Sequence, residues 1–185
     1  DGMQKQSLHK DLTLAVIDGQ SRFGNRFLIP AGPLRTPIFE GKKKSDAFII
    51  IGDDKKNLVK KLSNTKPAFK ADIKISENWI SDKESPYIAF TGIGRPQKFK
   101  DTLEEYDLNI IDFHAFPDNY AYTEKDIQTL KENKKTLNAR LITTEKDIVR
   151  IPESFSHKHV ADAVPIEVVW DDAEDLAIFI KQVLQ

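Results

Sequence analysis

Ala47-Phe48-Ile49-Ile50-Ile51 is the run that decides the fold. It is short, continuously apolar and rich in β-branched and aromatic residues, so it reads as a strand. A strand with no polar alternation suits a parallel sheet covered on both faces. Working outward, Leu12 to Ile17, Tyr87 to Phe90, Leu108 to Phe113, Arg140 to Thr143 and Pro165 to Trp170 have the same character. Helix-like segments lie between and after them, at Asp54–Leu62, Pro96–Tyr106, Glu124–Lys134, Glu145–Ile151 and Ala173–Leu184. Thr123 and Thr144 each stand three residues before an acid, Asp126 and Asp147, which is an N-cap pattern with Asp in the capping-box position. Asp171 and Asp172 place negative charge at the positive end of the last helix. Strand-then-helix order, repeated, predicts an α/β layered fold with right-handed crossovers. Residues 63–85 are mixed and read as a short hairpin and linker.

Composition narrows the function classes. The 185 residues carry 28 basic and 29 acidic side chains, a net charge of -1, which argues against a nucleic-acid partner. Without cysteine there is neither a disulfide framework nor a thiolate site. No apolar run approaches the roughly 20 residues that span a bilayer. His157 and His159, the one close histidine pair, sit in a polar loop and read as solvated. The opening Asp1-Gly2-Met3-Gln4 has no initiator Met and reads as the interior of a longer protein.

Chemistry concentrates where strands end. Gly24 to Pro37 holds two Gly and three Pro yet is punctuated by Phe27, Leu28, Ile29 and Leu34. Such a run specifies one ordered path, and its Arg35 is placed to grip an anion. Asp18 ends the first strand, where open α/β sheets set metal and phosphate ligands, although beside Gly19 it reads first as a turn residue. Gly92-Ile93-Gly94-Arg95-Pro96 opens a helix; it serves equally as a backbone anion nest and as a tight turn. Phe116-Pro117-Asp118-Asn119-Tyr120 carries an acid and an amide out of the next strand, in positions typical of turns. In Thr143-Thr144-Glu145-Lys146-Asp147 capping explains Thr and Asp, whereas the Lys146 ammonium is free to reach a phosphate. Lys42-Lys43-Lys44 and the Lys55, Lys56, Lys60, Lys61 face are basic, either as solvated helix surface or as an attraction for anionic lipid headgroups. Four such loops together suggest phosphate handling.

These same residues resemble the tetraacyldisaccharide 4'-kinases of lipid A synthesis. Asp1-Gly2-Met3-Gln4 is similar to the family's Asp-Asp-Gly-x-Gln. Gly24-Asn25…Ile29-Pro30-Ala31-Gly32-Pro33-Leu34-Arg35-Thr36-Pro37 is similar to its Gly-Asn…Leu-Pro-Ala-Gly-Pro-Leu-Arg-Glu-Pro. Gly92 to Pro96 and Thr144 to Asp147 resemble its Gly-Ile-Gly-x-Pro and Thr-Glu-Lys-Asp, and order and spacing agree along nearly the whole chain.

The resemblance implies a P-loop-kinase-like α/β layered sheet with helices on both faces, whose N-terminal portion lies outside this chain. It implies transfer of the ATP γ-phosphate to the 4'-hydroxyl of a lipid disaccharide 1-phosphate, with Mg²⁺, at the cytoplasmic face of the bacterial inner membrane. By the match, Asp1 belongs to a metal-binding acidic pair and is catalytic, as are Asp118 and Asn119. Gln4, Asn25, Arg35 and Lys146 border nucleotide or lipid phosphate. Thr36 stands where the family has Glu, and Asn119 where it has His; Asn orients a partner but carries no proton near neutral pH. His114, five residues earlier, is the candidate to compensate. No G-x-x-x-x-G-K-[ST] occurs, so these residues alone are expected to be inactive. The expected division is 1–75, the remainder of the nucleotide domain with a linker, and 76–185, a smaller α/β domain. The rival reading is a non-catalytic module that binds anionic or phosphorylated lipid surfaces through Arg35, Arg95 and the Lys55–Lys61 face.

Overall fold

A computed structural model describes residues 2–5, 7, 9–54, 56–79, 82–152, 154 and 160–185. Asp1, Lys55, His157 and His159 therefore lie outside the described residues. Among the described residues, a short 3-10 turn at Gly2–Gln4 precedes eight strands and six α-helices in chain order: β1 (Leu14–Asp18), α1 (Ile38–Lys44), β2 (Ala47–Ile51), α2 (Leu58–Ser63), β3 (Ala68–Ile75), β4 (Tyr87–Thr91) and α3 (Pro96–Glu105). Then come β5 (Ile110–Ala115), α4 (Glu124–Thr136), β6 (Arg140–Thr144), α5 (Glu145–Ile148), β7 (Asp162–Val164), β8 (Ile166–Trp170) and α6 (Ala173–Leu184).

The strands form two sheets, ordered β1-β2-β3-β8 and β5-β4-β6-β7. In the first, β2 runs parallel to β1, with Val16 opposite Ile49, and parallel to β3, with Ile50 opposite Lys70. In the second, β4 is parallel to β5 and β6, and β6 is parallel to β7. The mixed α/β class with parallel sheets is thus the observed one.

Both sheets carry helices on two faces, because alternate side chains of a strand point to opposite sides. Phe48 and Ile50 of β2 pack with Leu58 and Leu62 of α2, while Ala47 packs with Leu176 of α6. Along β4, Ile88 and Phe90 meet Ile127 and Leu130 of α4; Tyr87 and Ala89 meet Phe99 and Leu103 of α3. Every residue of β4 is buried, which is why its sequence shows no polar alternation. Helix α4 starts on the expected capping box: Asp126 N–H donates to Thr123 Oγ1 (3.2 Å), and Thr123 N–H donates to Asp126 Oδ2 (2.9 Å).

Packing divides the chain into residues 1–73 with 168–185, and residues 74–167. The expected second domain of 76–185 therefore loses its last segment to the first unit. The cause is apolar: Leu176, Phe179 and Ile180 of α6 pack with Ala47 and Phe69. Lys70 Nζ also reaches Asp171 Oδ2 at 3.2 Å, which raises the lysine's pKa. Two further readings are corrected. Within 63–85, residues 68–75 are one eight-residue strand parallel to β2, not a hairpin. Helix α2 begins at Leu58 rather than Asp54, because Asn57 is left-handed (φ 51°) and the Asp54 carboxylate accepts from the Leu58 and Val59 N–H groups.

Leu103 is wholly buried against β4. Leu103→Ala is expected to cost about 2–5 kcal/mol in urea unfolding. The Thr123 hydroxyl, with the Thr123 N–H, holds the Asp126 carboxyl below the usual range. Its stabilisation is therefore complete above the unfolded carboxyl range and is lost as pH falls through the lower folded value. Asp126→Asn should flatten that acid limb in a pH series of melting temperatures.

Candidate functional site

In the first unit the site is built on the segment after β1. Asp18 Oδ1 accepts from Ser21 N–H (2.8 Å) and Ser21 Oγ (2.9 Å), the turn role read from its neighbour Gly19. The loop that follows is pinned from within. Ile29 N–H donates to Leu34 O (2.8 Å), Leu34 N–H to Phe27 O (3.2 Å) and Gly32 N–H to Leu28 O (3.0 Å). Asn25 closes it, donating Nδ2 to Ala31 O (2.8 Å) and accepting Phe27 N–H at Oδ1 (3.1 Å). A Cβ on Gly32 would fall 2.1 Å from Asn25 Oδ1, so only glycine fits there. Asn25, expected beside a phosphate, thus has both ends of its amide engaged in shaping the loop that carries Arg35.

Arg35 lines a cleft of about 340 Å³ together with Gln4, Asp18, Arg22, Thr36 and Lys42, over an apolar floor that includes Ile17 and Phe48. Gln4 Nε2 donates to Thr36 Oγ1 (2.9 Å), so Thr36 anchors Gln4. Among the described residues, three cations and one carboxylate, itself bonded by Ser21, line the cleft and suit it to an anion.

The second unit places its polar groups at the carboxyl ends of β4, β5 and β6. Asp147 is wholly buried. Its Oδ2 accepts from Thr91 Oγ1 and Thr144 Oγ1, each at 2.7 Å, and its N–H donates to Thr144 Oγ1. Arg150 Nη1 lies 3.3 Å from Asp147 Oδ1 and donates to Gly92 O; Nη2 donates to Asn119 Oδ1 at 2.7 Å. Asn119, in the left-handed region at φ 58°, donates its N–H to Gly92 O (2.9 Å). A Cβ at Gly92 would meet Tyr120, Pro117 O and the Tyr122 hydroxyl at 3.0–3.3 Å, so that glycine is explained by close packing. Tyr122 is buried without a hydrogen bond of ordinary geometry among the described residues; burial first, then the Asp147 charge, pushes its pKa well above the ordinary range.

Asp118 is exposed, with its carboxylate 3.5 Å from where a Gly94 Cβ would sit. An acid there speaks against an anion nest at Gly92–Gly94 and for a tight turn. Lys146 is exposed on α5. His114 Nε2 is 2.9 Å from Asp112 Oδ2 on the same strand. Among the described residues no three His, Cys, Asp or Glu side chains are grouped to hold a metal ion. The structure therefore gathers Gln4 and Arg35 at one cleft, and Asp118 and Asn119 around Gly92 and Gly94. Arg150, Thr91 and Tyr122 escaped the sequence reading; the i, i+3 spacing of Asp147 and Arg150 was the signal for the first.

Fold and site define a parallel α/β protein with a cationic cleft at the end of a strand. The family model for tetraacyldisaccharide-1-P 4'-kinase matches residues 1–185. The chain is similar to the tetraacyldisaccharide 4'-kinase of Gluconacetobacter diazotrophicus, at 37% identity over 172 residues, covering 93% of this chain and 52% of that protein. It is also similar to that of Rickettsia bellii, at 41% identity over 155 residues, covering 83% and 48%. The crystal structure of LpxK from Aquifex aeolicus in complex with ATP shares the fold, with a TM-score of 0.70 at 23% identity, covering 100% of this chain and 56% of that one. The chain belongs to the tetraacyldisaccharide-1-P 4'-kinase family, and it spans about half the length of the curated relatives it matches.

The Asp147 network gives a direct test. Thr91→Val removes one hydrogen bond from a buried carboxylate and is expected to cost about 1–3 kcal/mol in urea unfolding. Thr129→Val, on an exposed turn of α4, should change stability by less than about 0.5 kcal/mol.

Proposed function

We propose that this chain is part of a lipid kinase that moves the γ-phosphoryl group of ATP to the 4'-hydroxyl of a tetraacyldisaccharide 1-phosphate in lipid A synthesis. The observation that carries the reading is the Gly24–Pro37 loop, locked by its own hydrogen bonds so that Arg35 lines a cleft with Gln4 and Arg22, in a chain the family model matches from end to end. In the reaction the sugar hydroxyl oxygen attacks the γ-phosphorus, the bond to the β–γ bridging oxygen breaks, ADP departs and the hydroxyl proton passes to a base. Such transfers depend on positioning and charge neutralisation more than on covalent chemistry.

Within that scheme Arg35 and Arg22 offset phosphate charge, and the guanidinium geometry suits two-point contact with phosphate oxygens. Gln4, tied to Thr36, borders the same phosphate. Asn25 positions the loop. Asp118 is the acid assigned to the hydroxyl proton, and Asn119, fixed by Arg150, orients its partner without taking a proton itself. Lys146, on a solvent-facing turn, is assigned to a phosphate as a point charge. Mg²⁺ takes one or two carboxylates with water and phosphate oxygens, a modest demand that fits a cleft offering few acids. By the resemblance Asp1 would hold it, and it would supply positive charge to offset that of the phosphates. The work is done peripherally, at the cytoplasmic face of the bacterial inner membrane, where the acceptor lipid resides.

In the full-length protein, Arg35→Ala is expected to lower kcat/KM roughly 10²-fold with an unchanged melting temperature, and Arg35→Lys should recover only part. Unaltered kinetics in Arg35→Ala would remove Arg35 from the site. These 185 residues alone contain no Gly-rich, Lys-bearing phosphate cradle. They should show no ATP-dependent phosphorylation of the lipid in a thin-layer assay.

A further inference from the structure

The loop that sends Arg35 into the cleft also presents Phe27, Leu28 and Ile29 at its tip, with 63%, 44% and 59% of each residue exposed. Single exposed apolar residues are ordinary, but three large ones in a row are not. The exposure is built in, because Phe27, Leu28 and Ile29 are all held by backbone hydrogen bonds to Gly32, Leu34 or Asn25 and are not free to fold inward.

Beside this tip lies a hollow of about 170 Å³ whose lining, among the described residues, includes Arg22, Arg26, Lys56 and Lys61 and no carboxylate. Arg22 and Arg26 stand in the left-handed region, at φ 52° and 69°, where a side chain other than Gly or Asn is uncommon. No ion pair is formed by any of these four cations among the described residues. An apolar tip rimmed by cations with no opposing acid matches the layering of an anionic bilayer surface, hydrocarbon beneath phosphate.

We propose that the Phe27–Ile29 tip and the Arg22, Arg26, Lys56, Lys61 hollow form the surface by which the protein rests on a bilayer containing anionic phospholipid. The tip enters the headgroup–acyl boundary and the hollow receives lipid phosphate. The occupant is chosen by charge complementarity, since an acyl surface alone would not call for four cations. The inference rests on the lipid-kinase reading for its purpose, because the loop that enters the membrane also carries Arg35 into the cleft.

The test is flotation of the full-length protein with phosphatidylcholine vesicles, with and without about 30% phosphatidylglycerol. Wild-type protein should favour the anionic vesicles, and about 0.5 M salt should release it. Phe27→Ser with Ile29→Ser, and separately Arg26→Glu with Lys61→Glu, should each weaken binding by roughly tenfold or more, with melting temperatures unchanged. Both variants should still phosphorylate detergent-dispersed substrate. Variants that float like wild type, or a wild type indifferent to phosphatidylglycerol, would overturn the proposal. The surface would then be covered by another part of the protein or by a second copy. Wild-type protein that needs these residues to float yet phosphorylates no lipid would instead sink the kinase reading and leave the bilayer surface standing.

Discussion

Parallel pairing is the constraint from which the rest of this structure follows. Each of the pairs β1/β2, β2/β3, β4/β5, β4/β6 and β6/β7 runs in one direction. A parallel partner can be reached only by a crossover, so within each unit the chain leaves its strands at the same sheet edge. The Asp18 turn and the loop to Arg35 follow β1. The turn at Gly92–Gly94 follows β4, the Asp118–Asn119 turn follows β5, and Thr144–Asp147 closes β6. Polar side chains scattered through the sequence thus converge because their strands share a direction.

Convergence alone would leave these loops loose; two internal devices hold them. In the first unit the Asn25 amide spends both its donor and its acceptor on the loop, and Gly32 leaves room for it. In the second, Asp147 is wholly buried, which is costly unless its carboxyl group is paired and hydrogen-bonded. Two threonine hydroxyls and Arg150 supply those partners, and Arg150 then grips Asn119 and Gly92. The polar core therefore fixes the turn that carries the proposed reacting groups. A site held this way meets its ligand already ordered, and less of the binding free energy is lost to ordering.

Much of this was legible in the residues. Strands such as Phe48 to Ile51 and Tyr87 to Phe90 announce themselves because both of their faces are buried. The Thr123 and Thr144 caps are local chemistry that sequence spacing alone defines. β3 was missed because Lys70, Asp72 and Lys74 interrupt it, and their suitability shows only once Asp171 is in place from a distance of about a hundred residues. The return of α6 to the first unit was hidden for the same reason, since Leu176 is ordinary amphipathic patterning until Ala47 and Phe69 are its neighbours. Arg35 and Gln4, singled out by motif and charge, line one cleft. Asn25, singled out by motif, also braces its own loop, and Arg150, which no motif marks, clamps Asn119. Motifs name residues; only packing tells which of them touch a ligand and which hold the others still.

The central claim, that this chain helps move a phosphoryl group onto one hydroxyl of a lipid disaccharide, is tested most directly by the position of the new phosphate. The full-length protein would be incubated with ATP and tetraacyldisaccharide 1-phosphate, and the product assigned by phosphorus and proton NMR. One added phosphate, at the 4' position and dependent on ATP, is the predicted result. No transfer, or a phosphate at any other hydroxyl, would contradict it.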